Sequence, residues 1–209
     1  MATTEAAPAA VKPYHHGDLR RALLEAAEKV LEHEGPAGLS LRAVAREAGV
    51  SPAAPYHHFK DKDELLLAVG KGGFQQLKLA LADAARAAPS AEDKLPSIGL
   101  AYVEFAQAHP ATYRVMYDCA RRADAMPDSD GHEEGGFNLV KDAINEAAGG
   151  NLEEVDLALA AIASWCAVHG LAEMRGFAEF KPLKDQLGGE KAFLRGVLEH
   201  LRFGHTRRH

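Results

Sequence analysis

The sequence is poor in the residues that carry redox, metal and covalent chemistry. It has two cysteines, Cys119 and Cys166, far apart and outside any CxxC spacing. That pattern argues against a disulfide framework and a cysteine zinc site, and reads as two free thiols in a reducing cytoplasm. No GxSxG elbow, phosphate-cradling glycine loop or HExxH is present, so the motifs by which many enzymes announce themselves are missing. The chain is therefore read as no enzyme, with no cofactor and no bound metal. The pairs His15-His16 and His57-His58 do not change this, because neighbours on a helix point about 100° apart. Positive charge is also not in excess. Lys and Arg number 24 against 30 Asp and Glu, a net charge of -6, so bulk charge does not announce a polyanion binder. The distribution is uneven: Lys12 to Lys62 holds eight basic and seven acidic residues (+1), and Asp63 to His209 sixteen and twenty-two (-6). The opening "MATTEAAPAAVKPY" lacks the basic start and apolar run of a secretory signal; residues 1–13 read as a flexible arm. The longest run without Asp, Glu, Lys or Arg, Leu157 to Ala172, is sixteen residues and contains Ser164, His169 and Gly170. A membrane span needs about 20 mostly apolar residues, so a buried helix is expected, and no membrane partner.

What is present is helical pattern almost throughout, an all-α fold of about nine helices. Asp18 is placed to cap a first helix with Leu19, Ala22, Leu23, Ala26, Val30 and Leu31 at helical spacing, stopped by Gly35-Pro36 and Gly38. Ser40 caps a second, with Leu41, Val44, Ala45 and Ala48 on one face, ended by Gly49. Ser51 caps a third with Pro52 at its first position. Asp61 and Glu64 have capping-box spacing for a long fourth helix reaching about Ala88. Ser90 caps a fifth, ended before Pro110. A sixth covers Ala111 to Arg122, a polar loop follows, a seventh covers Phe137 to Ala148, an eighth starts at Asn151 and Glu154 and reaches about Phe177, and a ninth runs from Glu190 to Phe203. The "FKPLKDQLGG" stretch between the last two is given no helix. Residues 14–61 read as one domain and 62–209 as a second.

Two short helices joined by "AGVS" make a helix-turn-helix. Ala45 lets them cross closely, Gly49 supplies the positive φ of the turn, and Val50 fills the angle between them. Leu41, Val44 and Phe59 tie the pair to the first helix. On these residues the resemblance becomes specific. Leu39 to Leu65, "LSLRAVAREAGVSPAAPYHHFKDKDEL", resembles the DNA-binding domain of the TetR family of bacterial transcriptional regulators. Tyr14 to Gly35 is similar to the first helix of one branch of that family. Trp165, His169 and Gly170 resemble the Trp-His-Gly motif of one type of its C-terminal domain. The resemblance implies that Ser40, Arg42 and Tyr56 touch phosphate, that Ser51, Pro52, Ala53 and Ala54 open the recognition helix against the major groove, that His57 meets a base edge or phosphate, and that Lys62 grips the backbone. Pro55 departs from the aliphatic residue many members carry; it removes one main-chain bond and tilts or tightens the recognition helix. Ala53 and Ala54 offer only apolar contact, so phosphate contacts are expected to do most of the positioning.

The remaining chain is long enough to dimerise and to sense a ligand. The eighth helix is apolar almost all round and needs cover on every side; with the ninth it is expected to form a four-helix homodimer interface through Leu159, Ile162, Phe193, Val197 and Leu201. Tyr102, Phe105, Tyr113, Met116, Tyr117, Phe137, Trp165, His169 and Met174 are bulky groups at helical spacing that either line a ligand pocket or simply pack the core. Gly70, Gly72 and Gly73 in the fourth helix suit a hinge or a close helix contact. The sequence thus points to a homodimeric regulator on double-stranded operator DNA, released by a small, mostly apolar effector. A DNA-binding dimer without a ligand is the alternative, and an enzyme a remote one.

Overall fold

The structure, a computed structural model, describes residues 16–122 and 135–201. The predicted arm, Tyr14 and His15, nearly all of the polar loop and the end of the last predicted helix at Phe203 lie outside the described residues. Among the described residues there are nine α-helices, two 3₁₀ helices and no strand. The chain divides into two compact units, one ending at Leu65 and one beginning at Leu66.

The first unit holds α1 (His16–Gly38), α2 (Leu41–Glu47), a 3₁₀ helix (Ala54–His57) and the opening turn of α3 (Lys62–Ala87). α1 begins two residues before Asp18, so Asp18 lies in its first turn rather than at its cap. Gly35 breaks α1 at φ 69° and ψ -179°, and Pro36 starts a last short turn to Gly38; the Gly-Pro pair acts as read. Ser40 Oγ accepts the Ala43 N–H at 3.1 Å and caps α2. At the other end Gly49 takes φ 67°, and Val50 N–H donates to the Ala45 carbonyl at 3.0 Å while Gly49 N–H donates to Arg46 at 3.2 Å. These two bonds are a Schellman closure, which needs the left-handed residue that glycine supplies. Leu23, Ala27, Val30 and Leu31 of α1 are buried, as are Leu41, Val44 and Ala45 of α2, Leu39 and Phe59.

The second unit holds the rest of α3, then α4 (Ala91–Ala108), α5 (Pro110–Arg122), α6 (Gly136–Ala147), α7 (Glu154–Met174), a 3₁₀ turn (Ala178–Phe180), α8 (Lys181–Leu187) and α9 (Glu190–Leu201). Ser90 caps α4 by accepting the Asp93 N–H at 3.2 Å and donating its hydroxyl to the Asp93 carboxylate at 2.7 Å. α4 is central and packs against α6, α7 and α9. α8 is an addition to the sequence reading. It starts with Pro182 in its first turn and ends at Gly188, φ 88°, and Lys184 pins it by reaching the Arg175 carbonyl at 2.5 Å and Glu190 at 3.3 Å. Its two leucines, Leu183 and Leu187, are exposed, so it has no buried stripe for periodicity to reveal.

α7 faces the interior along one side, through Leu157, Ala161, Ser164 and Val168, whereas Val155, Leu159 and Ile162 are 70, 60 and 47 % exposed. The helix is long and apolar enough to cross a membrane, but four residues facing the core mark it as part of a packed unit with one side uncovered. α9 turns its stripe inward. Phe193 is 3 % exposed, lies 5.6 Å from the Phe180 ring and sits under the Lys184 ammonium. Val197 and Leu201 pack against the same core. Phe193 is thus part of its own subunit's core, Val197 and Leu201 are half-buried, and Leu159 and Ile162 are exposed.

The glycines of α3 separate into two kinds. A Cβ at Gly73 would stand 2.6 Å from Met116 Sδ and 3.0 Å from Thr112 Cγ2, and one at Gly70 would stand 3.3 Å from Cys119 Cβ. A Cβ at Gly72 would meet nothing. Gly70 and Gly73 therefore admit α5 close against α3, which is the packing role.

Candidate functional site

The tip of the first unit is built by subtraction of donors. Neither Pro52 nor Pro55 has an N–H, so the i→i−4 bond from position 55 to the Ser51 carbonyl cannot form. Ala54 N–H donates there instead, at 3.0 Å, followed by Tyr56 to Ala53 at 3.2 Å and His58 to Pro55 at 3.0 Å. These are 3₁₀ bonds. The expected α-helix capped by the Ser51 side chain is accordingly a four-residue 3₁₀ helix without side-chain cap. Pro55 tightened the segment, and it is buried, so it keeps the apolar anchor of an aliphatic residue. Phe59, 1 % exposed, holds the segment's end, with the Arg20 guanidinium 5.4 Å from its ring centre.

Around this tip Ser40, Arg42, Ser51, Pro52, Ala53, Tyr56 and His57 are exposed, and Ala54 and His58 are half-buried. Ser40 and Arg42 lie at the start of α2, which contacts the 3₁₀ helix. Lys62 is engaged: its ammonium donates to the Pro36 carbonyl at 2.7 Å, tying the start of α3 to the end of α1, with two hydrogens left over. The capping box reaches one residue further than read. Glu64 N–H donates to Asp61 Oδ1 at 2.9 Å, while Glu64 Oε2 accepts the Lys60 N–H at 2.7 Å.

In the second unit, α4, α5 and α7 bring four of the nine pocket candidates into one buried polar knot. Tyr102 Oη lies 3.2 Å from Tyr113 Oη, 3.2 Å from His169 Nδ1, and in a short contact with Tyr117 Oη. Tyr113 Oη is 2.6 Å from His169 Nδ1. The Trp165 indole is edge-on to Tyr102 at 5.4 Å, and Phe137 packs edge-on to Trp165 at 6.1 Å. Burial pushes all three phenols up from their ordinary range. Burial, aided by Arg121 and opposed by Glu173, pushes His169 down. The knot is uncharged at neutral pH.

The other candidates separate from it. Phe105 packs on His109 at 5.0 Å, Met116 lies against Gly73, and Met174 is 45 % exposed; the first two fill the core and the third is outside it. Beside Tyr102 and Trp165 is an apolar cavity between Leu81, Gly99, Val140 and Leu198, of about 20 Å³. That is room for about one water, against roughly 300 Å³ or more for a typical ligand pocket. This cavity by itself is below the size of a ligand. Periodicity placed the bulky residues inside, but not which would meet, nor that α3, α6 and α9 would supply the cavity wall.

A pH effect follows from His169. Its folded value lies below its unfolded one, so the unfolded chain binds the proton first and stability falls as pH drops below about 6.5. The His169→Gln variant is expected to lose less of its melting temperature than the parent between pH 7.5 and pH 5.5, read by circular dichroism.

Comparison with known proteins fits this architecture. Residues 23–69 match the family described as bacterial regulatory proteins, tetR family, and residues 95–198 match the tetracyclin repressor-like C-terminal domain. A protein of unknown function from Rhodococcus sp. RHA1 is 35 % identical, with 93 % of this chain and 98 % of that one covered and a TM-score of 0.71. The HTH-type transcriptional regulator BetI of Brucella canis is 31 % identical over 108 residues, half of this chain and 54 % of BetI. The match thus spans about half the length of that relative. A TetR family transcription regulator from Marinobacter aquaeolei VT8 shares the fold, at 18 % identity, 88 and 94 % coverage and a TM-score of 0.61. The chain belongs to the TetR family of transcriptional regulators.

Proposed function

We propose that the protein is a homodimeric, ligand-responsive repressor that acts in the cytoplasm on a near-palindromic operator. The observation that carries the dimer is the uncovered α7 stripe. Val155, Leu159 and Ile162 are spaced i, i+4 and i+7, so they share one face, and a two-fold axis along it pairs each stripe with its copy. Such a dimer presents two tips, whose half-sites lie about 34–36 Å apart on DNA. Ser40, Arg42 and Tyr56 contact phosphates, Ser51 to Ala54 face the major groove, His57 reaches a base edge or phosphate, and the spare hydrogens of Lys62 meet the backbone.

Release runs through α5 in this reading. One side of α5 carries Tyr113 and Tyr117 of the knot. The other carries Thr112, Met116 and Cys119 against Gly70 and Gly73 of α3. A ligand that opens the knot moves α5, and α3, which runs on to Lys62, transmits the shift. Taking such an equilibrium from 1:99 to 99:1 needs about 5.5 kcal/mol of differential binding, and ligand and DNA then weaken each other reciprocally.

Selection of bound genomic fragments, combined with light scattering, tests the proposal. A dimer mass and a two-fold-related motif are expected; a monomer with equal affinity for random fragments refutes it. On the selected operator, Lys62→Ala is expected to reduce the salt slope of binding by about 1, nearly independently of sequence. The small cavity favours a second reading, a DNA-binding dimer with no small-molecule ligand. An absence of any ligand-induced release would select it.

A further inference from the structure

The hydrogen count of the polar knot points to the class of effector, given the ligand-responsive reading on which this inference rests. Three hydrogens enter the knot, those of the three phenolic O–H groups. Four acceptors meet them: the three phenolic oxygens and His169 Nδ1. All three hydrogens find an acceptor within the knot only if Nδ1 is bare, which assigns the neutral tautomer with its hydrogen on Nε2. Tyr117 donates to Tyr102, and Tyr113 to His169 across 2.6 Å. Tyr102 then has one hydrogen for two contacts, Tyr113 and His169, both at 3.2 Å. One of these two contacts holds no hydrogen. The knot is closed but one donor short, at the residue whose ring also lines the apolar cavity.

A group that fills such a vacancy must give a hydrogen bond. A hydroxyl does so. A carboxylate brings no hydrogen, and its charge, like that of an ammonium, would enter a site whose members are all neutral, at a penalty of several kcal/mol per ion. The cavity walls, Leu81, Gly99, Val140 and Leu198, ask for an apolar body. We infer that the effector is an uncharged lipophile bearing one hydroxyl, an alcohol or a phenol, whose hydroxyl joins Tyr102, Tyr113 and His169 while its apolar body widens the neighbouring cavity.

The full-length protein carries its own reporter, because Trp165 is the single tryptophan and sits edge-on to Tyr102. Its emission is followed at pH 7.4 during titration with three probes of equal chain length: 1-octanol, octanoate and octylammonium. The expected result is a saturable change with 1-octanol at a Kd at least about tenfold below either charged probe, since tenfold corresponds to only about 1.4 kcal/mol. Tyr102→Phe and, separately, Tyr113→Phe are each expected to weaken 1-octanol about fivefold, one hydrogen bond's net contribution. The wild-type series needs no variant to fold. Octanoate or octylammonium binding as tightly as 1-octanol overturns the head-group assignment and leaves the ligand-responsive reading standing. Saturable 1-octanol binding that is unchanged in both variants overturns the placement at the knot. No saturable response to any probe overturns the inference outright, while operator release by other compounds judges the broader reading separately.

Discussion

Replacing Leu159 and Ile162 together by glutamate yields a folded monomer with an operator affinity lower by roughly 10²–10⁴-fold. Both side chains already face solvent on α7, so within one subunit the exchange is a surface change, worth about ±0.5 kcal/mol per site. Across a two-fold axis it is different: each glutamate meets its own copy, and like charges are forced together in a drying contact. The folding stability of the subunit and the existence of the dimer therefore come apart, which is what makes the test informative. The affinity figure comes from linkage of two half-site contacts, where avidity exceeds a single contact by about 10²–10⁴. Light scattering reads the mass and fluorescence anisotropy reads the operator. Leu157→Glu, on the inward side of the same helix, is the contrasting control and is expected to unfold the second unit. A double variant that remains dimeric, or a monomer that holds the operator as before, removes α7 from the interface.

Gly73→Ala is expected to destabilise the protein by about 1–3 kcal/mol, the usual range for overpacking, while Gly72→Ala raises stability by about 0.8–1 kcal/mol through helix propensity. The two neighbours are chemically the same and differ only in what faces them. At 73 the new methyl meets Met116 Sδ and Cγ at 2.6 and 2.7 Å, and Met116 is wholly buried, so core atoms must shift to admit it. At 72 the methyl points into open space. Thermal unfolding separates them by several degrees, at about 2–4 °C per kcal/mol for a chain of this size. Pairing Gly73→Ala with Met116→Ala should recover part of the loss, because the two sites share one contact. If all three α3 glycines tolerate alanine without loss of stability, and ligand-induced release alone disappears, the hinge role holds and the packing role falls.

Much of this was legible in the sequence, for identifiable reasons. Caps and stops are local chemistry, and Ser40, Gly35, Gly49, Asp61 and Ser90 act where their side chains or backbone freedom require. The uncovered apolar side of α7 was foreshadowed by the absence of any polar face. Three things were not legible. Whether Phe193 turns towards its own core or towards a partner depends on the Phe180 ring and Lys184, which arrive from a segment with no periodic signal. Which aromatics meet is a tertiary fact: Tyr102, Tyr113, Tyr117 and His169 come from three helices, and Met174 lies only five residues beyond His169 yet is outside. The third helix was misread because a proline at 52 fits a helix start, whereas a second proline at 55 removes the very bond that would have propagated it.

The paired prolines have a kinetic consequence. With φ fixed near -65° at both positions, the unbound tip has little conformational freedom to surrender on docking, so the ordering penalty that slows and weakens flexible readers is small. Encounter with the duplex is then governed by orientation and by the fields of nearby lysines and arginines. Its rate should follow ionic strength, as expected for a rigid key rather than a segment that must fold around its lock.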